Sequence, residues 1–132
     1  MKVTKTEQEW KKQLNEQQYR ICREKGTEPA FSGEYWDTHE DGTYICRCCA
    51  EKLFAAADKY DSGSGWPSFT KPIAPKNVEQ QMDTSFGMRR EEVTCSNCGA
   101  HLGHVFNDGP FPTKKRYCIN SAALKLVKSV KE

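Results

Sequence analysis

The chain has 132 residues, with 20 basic and 18 acidic side chains for a formal charge of +2, and 36% hydrophobic against 29% charged residues. That length suits one domain with a modest core and is too short for two conventional ones. A formal charge this close to neutral implies no nucleic-acid partner. Seven cysteines in a short chain suggest a secreted disulfide scaffold, but the count is odd, and Met1-Lys2-Val3-Thr4-Lys5 leads into a polar helix without an apolar leader. A reducing, cytoplasmic setting fits better, and no apolar run approaches membrane-spanning length.

In chain order, Thr6-Glu7-Gln8-Glu9 reads as a capping box. Asn15-Glu16-Gln17-Gln18 reads as a second, with Leu14 and Tyr19 in staple positions. Two short helices are therefore expected instead of one long one, the second ended by Gly26. Residues 27–33 read as an arm crossing onto the main body, and 1–28 as a helical arm preceding a β core over 29–127. Glu34-Tyr35-Trp36 and Thr43-Tyr44-Ile45 read as strands of a hairpin closed near Asp41-Gly42. Leu53-Phe54, Asn77 to Met82, Met88 to Thr94, Leu102 to Phe106 and Lys115 to Ile119 are further strand candidates, separated by Gly- and Pro-rich loops. The fold class is mainly β within α+β, antiparallel, with short helices at the N-terminus.

Cys46-Arg47-Cys48-Cys49 and Cys95-Ser96-Asn97-Cys98-Gly99 have the form of two zinc knuckles. Zinc prefers four tetrahedral ligands, and two tight turns each presenting two thiolates supply them from Cys46, Cys49, Cys95 and Cys98. Four cysteine ligands leave no open position, so the ion is structural. A pair of redox dithiols is the competing reading. Cys48 reads as a small packing residue inside the first knuckle.

Cys118 lies outside this frame, in Arg116-Tyr117-Cys118-Ile119-Asn120. An unperturbed thiol is only a few per cent thiolate at neutral pH, so a nucleophile needs cationic or hydrogen-bonding neighbours. On a regular strand Arg116 and Asn120 share its face, while Tyr117 and Ile119 point into the core. The residues alone leave Cys118 as either a nucleophile or a buried structural thiol. His101 and His104 are proton donors or hydrogen-bonded structure, and Trp66 is either a core plug or a substrate platform.

Gly65-Trp66-Pro67-Ser68-Phe69, the two knuckles, His101-Leu102-Gly103-His104-Val105-Phe106 and Arg116-Tyr117-Cys118-Ile119-Asn120-Ser121 together resemble the B-type methionine-R-sulfoxide reductases, from about Thr6 to Leu126. Gly26-Thr27-Glu28 and Phe31-Ser32-Gly33 belong to the same pattern. The resemblance implies two antiparallel sheets with structural zinc at one end, and attack of Cys118 on the sulfoxide sulfur of free or protein-bound methionine sulfoxide to leave a sulfenic acid. It also implies that His101 and His104 help protonate the sulfoxide oxygen. Trp66 and Phe106 hold the substrate methyl group, and Arg116 and Asn120 stabilise the thiolate.

The chain departs from the family pattern at Ser64, where many members have a cysteine that resolves the sulfenic acid. Cys22 is then the expected resolving thiol, direct reduction by an external thiol its competitor and Cys48 a third choice, with thioredoxin as the final reductant. Asn107 stands where an acidic residue is common, and Asp108 remains next to it. A monomer is expected. The same zinc-bearing β scaffold occurs in binding modules that chaperone small GTPases, so a non-catalytic interaction protein is the alternative; it leaves Cys118, the histidines and Trp66 without a role.

Overall fold

A computed structural model describes residues 3–84, 87 and 89–128. Met1, Lys2 and Met88, which the expected arm and strand include, lie outside the described residues, as do 129–132.

Both capping boxes form. Helix α1 (Glu7–Gln13) is capped by Thr6, whose side chain accepts from the Glu9 N–H while the Glu9 carboxylate accepts from the Thr6 N–H. Helix α2 (Glu16–Arg23) is capped by Asn15 and Gln18 in the same reciprocal way. Leu14 and Tyr19, in the staple positions, are both buried. The end of α2 differs from expectation. Lys25, at φ 59°, takes the left-handed conformation, and Gly26 donates its N–H back to the Arg20 carbonyl at 2.9 Å. Glycine still suits the position, because a Cβ at Gly26 would stand 3.0 Å from that carbonyl oxygen and the turn would have to give slightly to hold it.

Strands β1 (Gly42–Cys46), β2 (Lys52–Ala55) and β9 (Leu124–Lys128) form one sheet in the order β2-β1-β9. Strands β3 (Lys59–Tyr60), β4 (Ser68–Phe69), β5 (Val78–Asp83), β6 (Arg90–Cys95), β7 (His101–Phe106) and β8 (Arg116–Ile119) form the other, in the order β3-β4-β8-β7-β6-β5. All pairings are antiparallel. The two-sheet expectation therefore holds, and an aromatic cluster joins the sheets. Tyr44 and Phe54 from the smaller sheet meet Phe69 from the larger at centroid distances of 5.2 and 4.5 Å, and Phe54 lies 5.8 Å from Tyr117. Such rings carry much of a small core's apolar area.

The expected hairpin strand at Glu34-Tyr35-Trp36 is not formed; residues 34–37 make a turn. Tyr35 is buried because its ring packs edge-on against Tyr44 at 5.3 Å and its hydroxyl accepts the Leu126 N–H. Strand β1 instead pairs with β2 and with β9, which the sequence reading did not include.

The arm does cross onto the larger sheet. Phe31 donates its N–H to the Gly65 carbonyl, Glu28 N–H goes to Asn120 Oδ1 at 3.1 Å, and the Glu28 carboxylate accepts the Ala122 N–H at 2.9 Å. No helix among the described residues is long and apolar enough to cross a membrane.

Candidate active site and metal centre

Each knuckle is a tight turn leaving a strand. Ala50 N–H bonds back to the Cys46 carbonyl and Gly99 N–H to that of Cys95, with Ala50 and Gly99 both left-handed at φ 66° and 78°. The turns gather the Sγ atoms of Cys46, Cys49, Cys95 and Cys98 within 4.8 Å of one another, with Cys46–Cys98 at 3.7 Å and Cys49–Cys95 at 3.6 Å. A tetrahedron with metal–sulfur bonds of about 2.3 Å has edges of about 3.8 Å, so the cluster fits one ion with four thiolates. Hydrogen bonds with the surrounding thiols push Cys46 far up, and those from Cys46 pull Cys49 down to about 6. Such shared protons are what a metal ion displaces.

Cys22 and Cys48 stay outside this set. Both are buried, and their thiols are neighbours, hydrogen bonding to Cys22 being the main cause that pushes Cys48 up.

Apart from the cysteine cluster, a cavity of about 350 Å³ is lined by Cys118, His104, Trp66, Phe106, Arg116 and Asn120 together with Thr27, Ser64, Arg90 and Gly103. Six expected site residues thus meet around one space of the size that takes a small ligand. Alternation along β8 places them: Tyr117 and Ile119 are buried in the core, and Arg116 and Cys118 face the cavity. On β7, His104 is the cross-strand partner of Cys118. Gly103 has to be glycine, because a Cβ there would overlap the Cys118 carbonyl oxygen at 2.0 Å. Trp66 donates its indole N–H to the Glu28 carbonyl at 2.9 Å, which ties the cavity wall to the arm.

Burial pushes the Cys118 thiol above its ordinary value, while the charge of Arg116 and hydrogen bonds with Ser64 and Arg116 pull it down. Arg116 is itself fixed, with its guanidinium 4.4 Å over the Phe106 ring and bonded to both Asp108 oxygens at 2.9 and 3.2 Å. Asn120 has both ends of its amide engaged, donating to the Leu102 carbonyl at 3.0 Å and accepting from Glu28 N–H. Its polar atoms thus hold the arm to β7.

The carboxylate partners of the histidines were not read from the sequence. His104 Nε2 lies 2.9 Å from Asp83 Oδ2, whereas Asp108, the remaining acid beside Asn107, serves Arg116. His101 Nδ1 is 2.6 Å from Glu92 Oε2, and Gln81 holds the other Glu92 oxygen at 2.7 Å. His101 is buried behind His104, with ring centroids 5.5 Å apart, and does not line the cavity. Burial lowers the His101 pKa despite the hydrogen bond to Glu92. Glu92 sits in the charged run Arg90-Glu91-Glu92, where nothing local marks it as the buried one. Asp83 offered no signal either, since only strand pairing brings it to His104.

The SelR domain model matches residues 14–128. The chain belongs to the SelR domain family. This SelR chain is 58% identical over 125 residues to "Peptide methionine sulfoxide reductase MsrB" of Acinetobacter baylyi, an alignment covering 95% of the chain and 90% of that protein. It is 62% identical over 127 residues to the protein of the same name from Saccharophagus degradans, covering 96% and 95%. The corresponding Acinetobacter baumannii protein is 55% identical over 125 residues, covering 95% and 90%. The SelR match spans both knuckles and every cavity residue.

Proposed function

We propose that the chain is a peptide-methionine (R)-S-oxide reductase. The observation that carries this reading is the single cavity in which Cys118 stands opposite His104 and beside the apolar wall of Trp66 and Phe106, in a chain of the SelR family. The sulfoxide methyl group rests on that wall. Cys118 sulfur attacks the sulfoxide sulfur, the oxygen moves to Cys118, and methionine leaves. The substrate sulfur gains the two electrons that Cys118 loses, and a sulfenic acid remains.

The reaction needs a proton on the sulfoxide oxygen, which makes the sulfur electrophilic. With His104 Nε2–H donated to Asp83, Nδ1 is the nitrogen free to take the Cys118 proton and pass it to that oxygen. His101 and Glu92 act from behind, holding the His104 ring. Arg116 supplies positive charge to the forming thiolate, and the amide of Asn120 keeps the arm closed over the cavity. An apolar wall on one side and a proton donor on the other discriminate the two sulfoxide epimers, and R is accepted.

One Zn²⁺ on Cys46, Cys49, Cys95 and Cys98 ties the two knuckles together and supplies no chemistry to the reaction. Cys22 resolves the sulfenic acid: its sulfur attacks Cys118 sulfur, water leaves, and a disulfide forms, which a thioredoxin-like dithiol reduces by exchange. Because Cys22 sits beside Cys48 and not at the cavity, this step requires release of α2 and the arm. The protein works as a cytoplasmic monomer.

The test is one turnover with a methionine-R-sulfoxide peptide in the absence of reductant, read by peptide mass spectrometry. A Cys22–Cys118 disulfide is expected. Persistence of the sulfenic acid on Cys118 in wild type would leave the first step standing and remove Cys22 as its partner.

A further inference from the structure

Three serine hydroxyls form a connected row that reaches the Cys118 cavity at Ser64, and no step above uses them. Ser62 Oγ is 2.8 Å from Ser64 Oγ and 2.7 Å from Ser68 Oγ. Ser68 is fully buried and is the cross-strand partner of Cys118, while Ser64 lines the cavity with the thiol. Backbone contacts fix the chain in place: Ser64 N–H reaches Ser62 Oγ at 3.3 Å and Trp66 N–H reaches Ser64 Oγ at 3.4 Å. At the far end, the Ser68 hydroxyl donates to the Trp66 carbonyl at 3.1 Å.

A hydroxyl has one proton to donate, so the row has a direction. With Ser68 donating to the Trp66 carbonyl, Ser62 donates to Ser68 and Ser64 to Ser62. All three protons then point away from Cys118, and Ser64 Oγ can accept the S–H. The opposite order uses the same contacts, with Ser68 donating to Ser62, Ser62 to Ser64, and Ser64 to Cys118 sulfur. Only the bond to the Trp66 carbonyl is given up.

We infer that Ser62, Ser64 and Ser68 form a reversible row of hydroxyl donors that turns toward Cys118 when its proton leaves and holds the thiolate for attack. Ser64 is the positioning residue that touches the sulfur, and Ser62 acts through it. A bond to an ionised sulfur is stronger than the neutral bond released at the Trp66 carbonyl, which favours reversal once the charge exists. The pull of Ser64 on the Cys118 thiol runs in the same direction. The other charged or titratable groups around that thiol are Arg116, Asp108, His104, Tyr60 and Arg90, none of which the test alters.

The inference rests on Cys118 as nucleophile, and its test requires no sulfoxide, so failure of the reductase reading and failure of this one are distinguishable. Iodoacetamide labelling of Cys118 is followed by peptide mass spectrometry in the full zinc-loaded chain between about pH 6 and about pH 10. Ser64→Ala is expected to move the midpoint alkaline and slow labelling at neutral pH roughly tenfold, the loss of one charge-assisted bond. Ser64→Thr, which keeps a hydroxyl, is expected to restore the profile. Ser62→Ala is expected to shift it the same way by a smaller amount. An unchanged Ser64→Ala profile, or equal shifts in Ser64→Ala and Ser64→Thr, overturns the inference. A wild-type Ser62→Ala profile overturns the row and leaves Ser64 acting alone.

Discussion

His104 stands directly opposite Cys118 on adjacent strands, with the far nitrogen of its ring held 2.9 Å from Asp83 Oδ2. The pairing puts an imidazole and a thiol across one ladder, at positions set by backbone register.

Removing the ring should therefore slow the chemical step more than it weakens binding. His104→Ala is expected to lower kcat by roughly a hundredfold or more, the usual scale for losing a positioned acid–base group, with a small change in KM. Steady-state kinetics with an R-sulfoxide peptide check this. A large rise in KM at constant kcat would assign His104 to binding instead.

His101 makes stability depend on pH. Its folded pKa is lowered from 6.5, first by burial, so the folded protein prefers the neutral ring. Hydrogen bonds from Gln81 and His101 also leave Glu92 lowered from 4.5 against the opposing effect of burial. A depressed folded pKa contributes stability that is present above the unfolded value and lost as pH falls through the folded one. Tm should therefore decline as pH drops below about 6.5, and further below about 4.5. His101→Gln should flatten the first part of that decline. Equal slopes in thermal melts of the two proteins would place the acid sensitivity elsewhere.

The four-thiolate cluster predicts one zinc per chain and a large cost on losing it. Cys95→Ser, or stripping by chelator, should reduce stability by about 5 kcal/mol or more, since metal binding is coupled to folding. Elemental analysis and denaturant unfolding test both parts. A chelated chain with an unchanged melting curve would mean that the cluster is not a structural metal site.

The two knuckles differ at the residue that follows the second metal-facing cysteine. Ala50 occupies the left-handed conformation that Gly99 occupies in the other turn. Ala50→Gly should stabilise by about 0.5–1 kcal/mol and Gly99→Ala destabilise by about 1 kcal/mol, because only glycine adopts positive φ without a Cβ penalty. Unfolding midpoints of the zinc-loaded variants measure this, and destabilisation by Ala50→Gly would mean that the Ala50 methyl group contributes packing that outweighs the relief.

The features legible in the sequence were those encoded locally. Capping boxes span four residues, a knuckle spans four, and the alternation that buries Tyr117 and Ile119 while presenting Arg116 and Cys118 needs only one strand. The same local pattern misled at Tyr35-Trp36, an aromatic pair that reads as a strand, whereas Tyr35 is buried by a turn packed on Tyr44. Strand β9 carried a usable signal in Leu124-Lys125-Leu126 but closes onto β1 from the opposite end of the chain. Two-residue strands such as β4 have no periodicity to detect. Asp83 and Glu92 find their histidines only through the β5-β6-β7 register. Cys22 could be recognised as a spare thiol, but its position beside Cys48 follows from how α2 packs.

The most direct test uses separated R and S epimers of a methionine sulfoxide peptide, with thioredoxin recycling, on the zinc-loaded wild type and Cys118→Ser. Turnover of the R epimer alone, abolished in Cys118→Ser, is the predicted result. R-epimer turnover that survives in Cys118→Ser, or no reduction of either epimer by the wild type even in a single-turnover assay, would contradict the assignment of Cys118 as the reducing nucleophile.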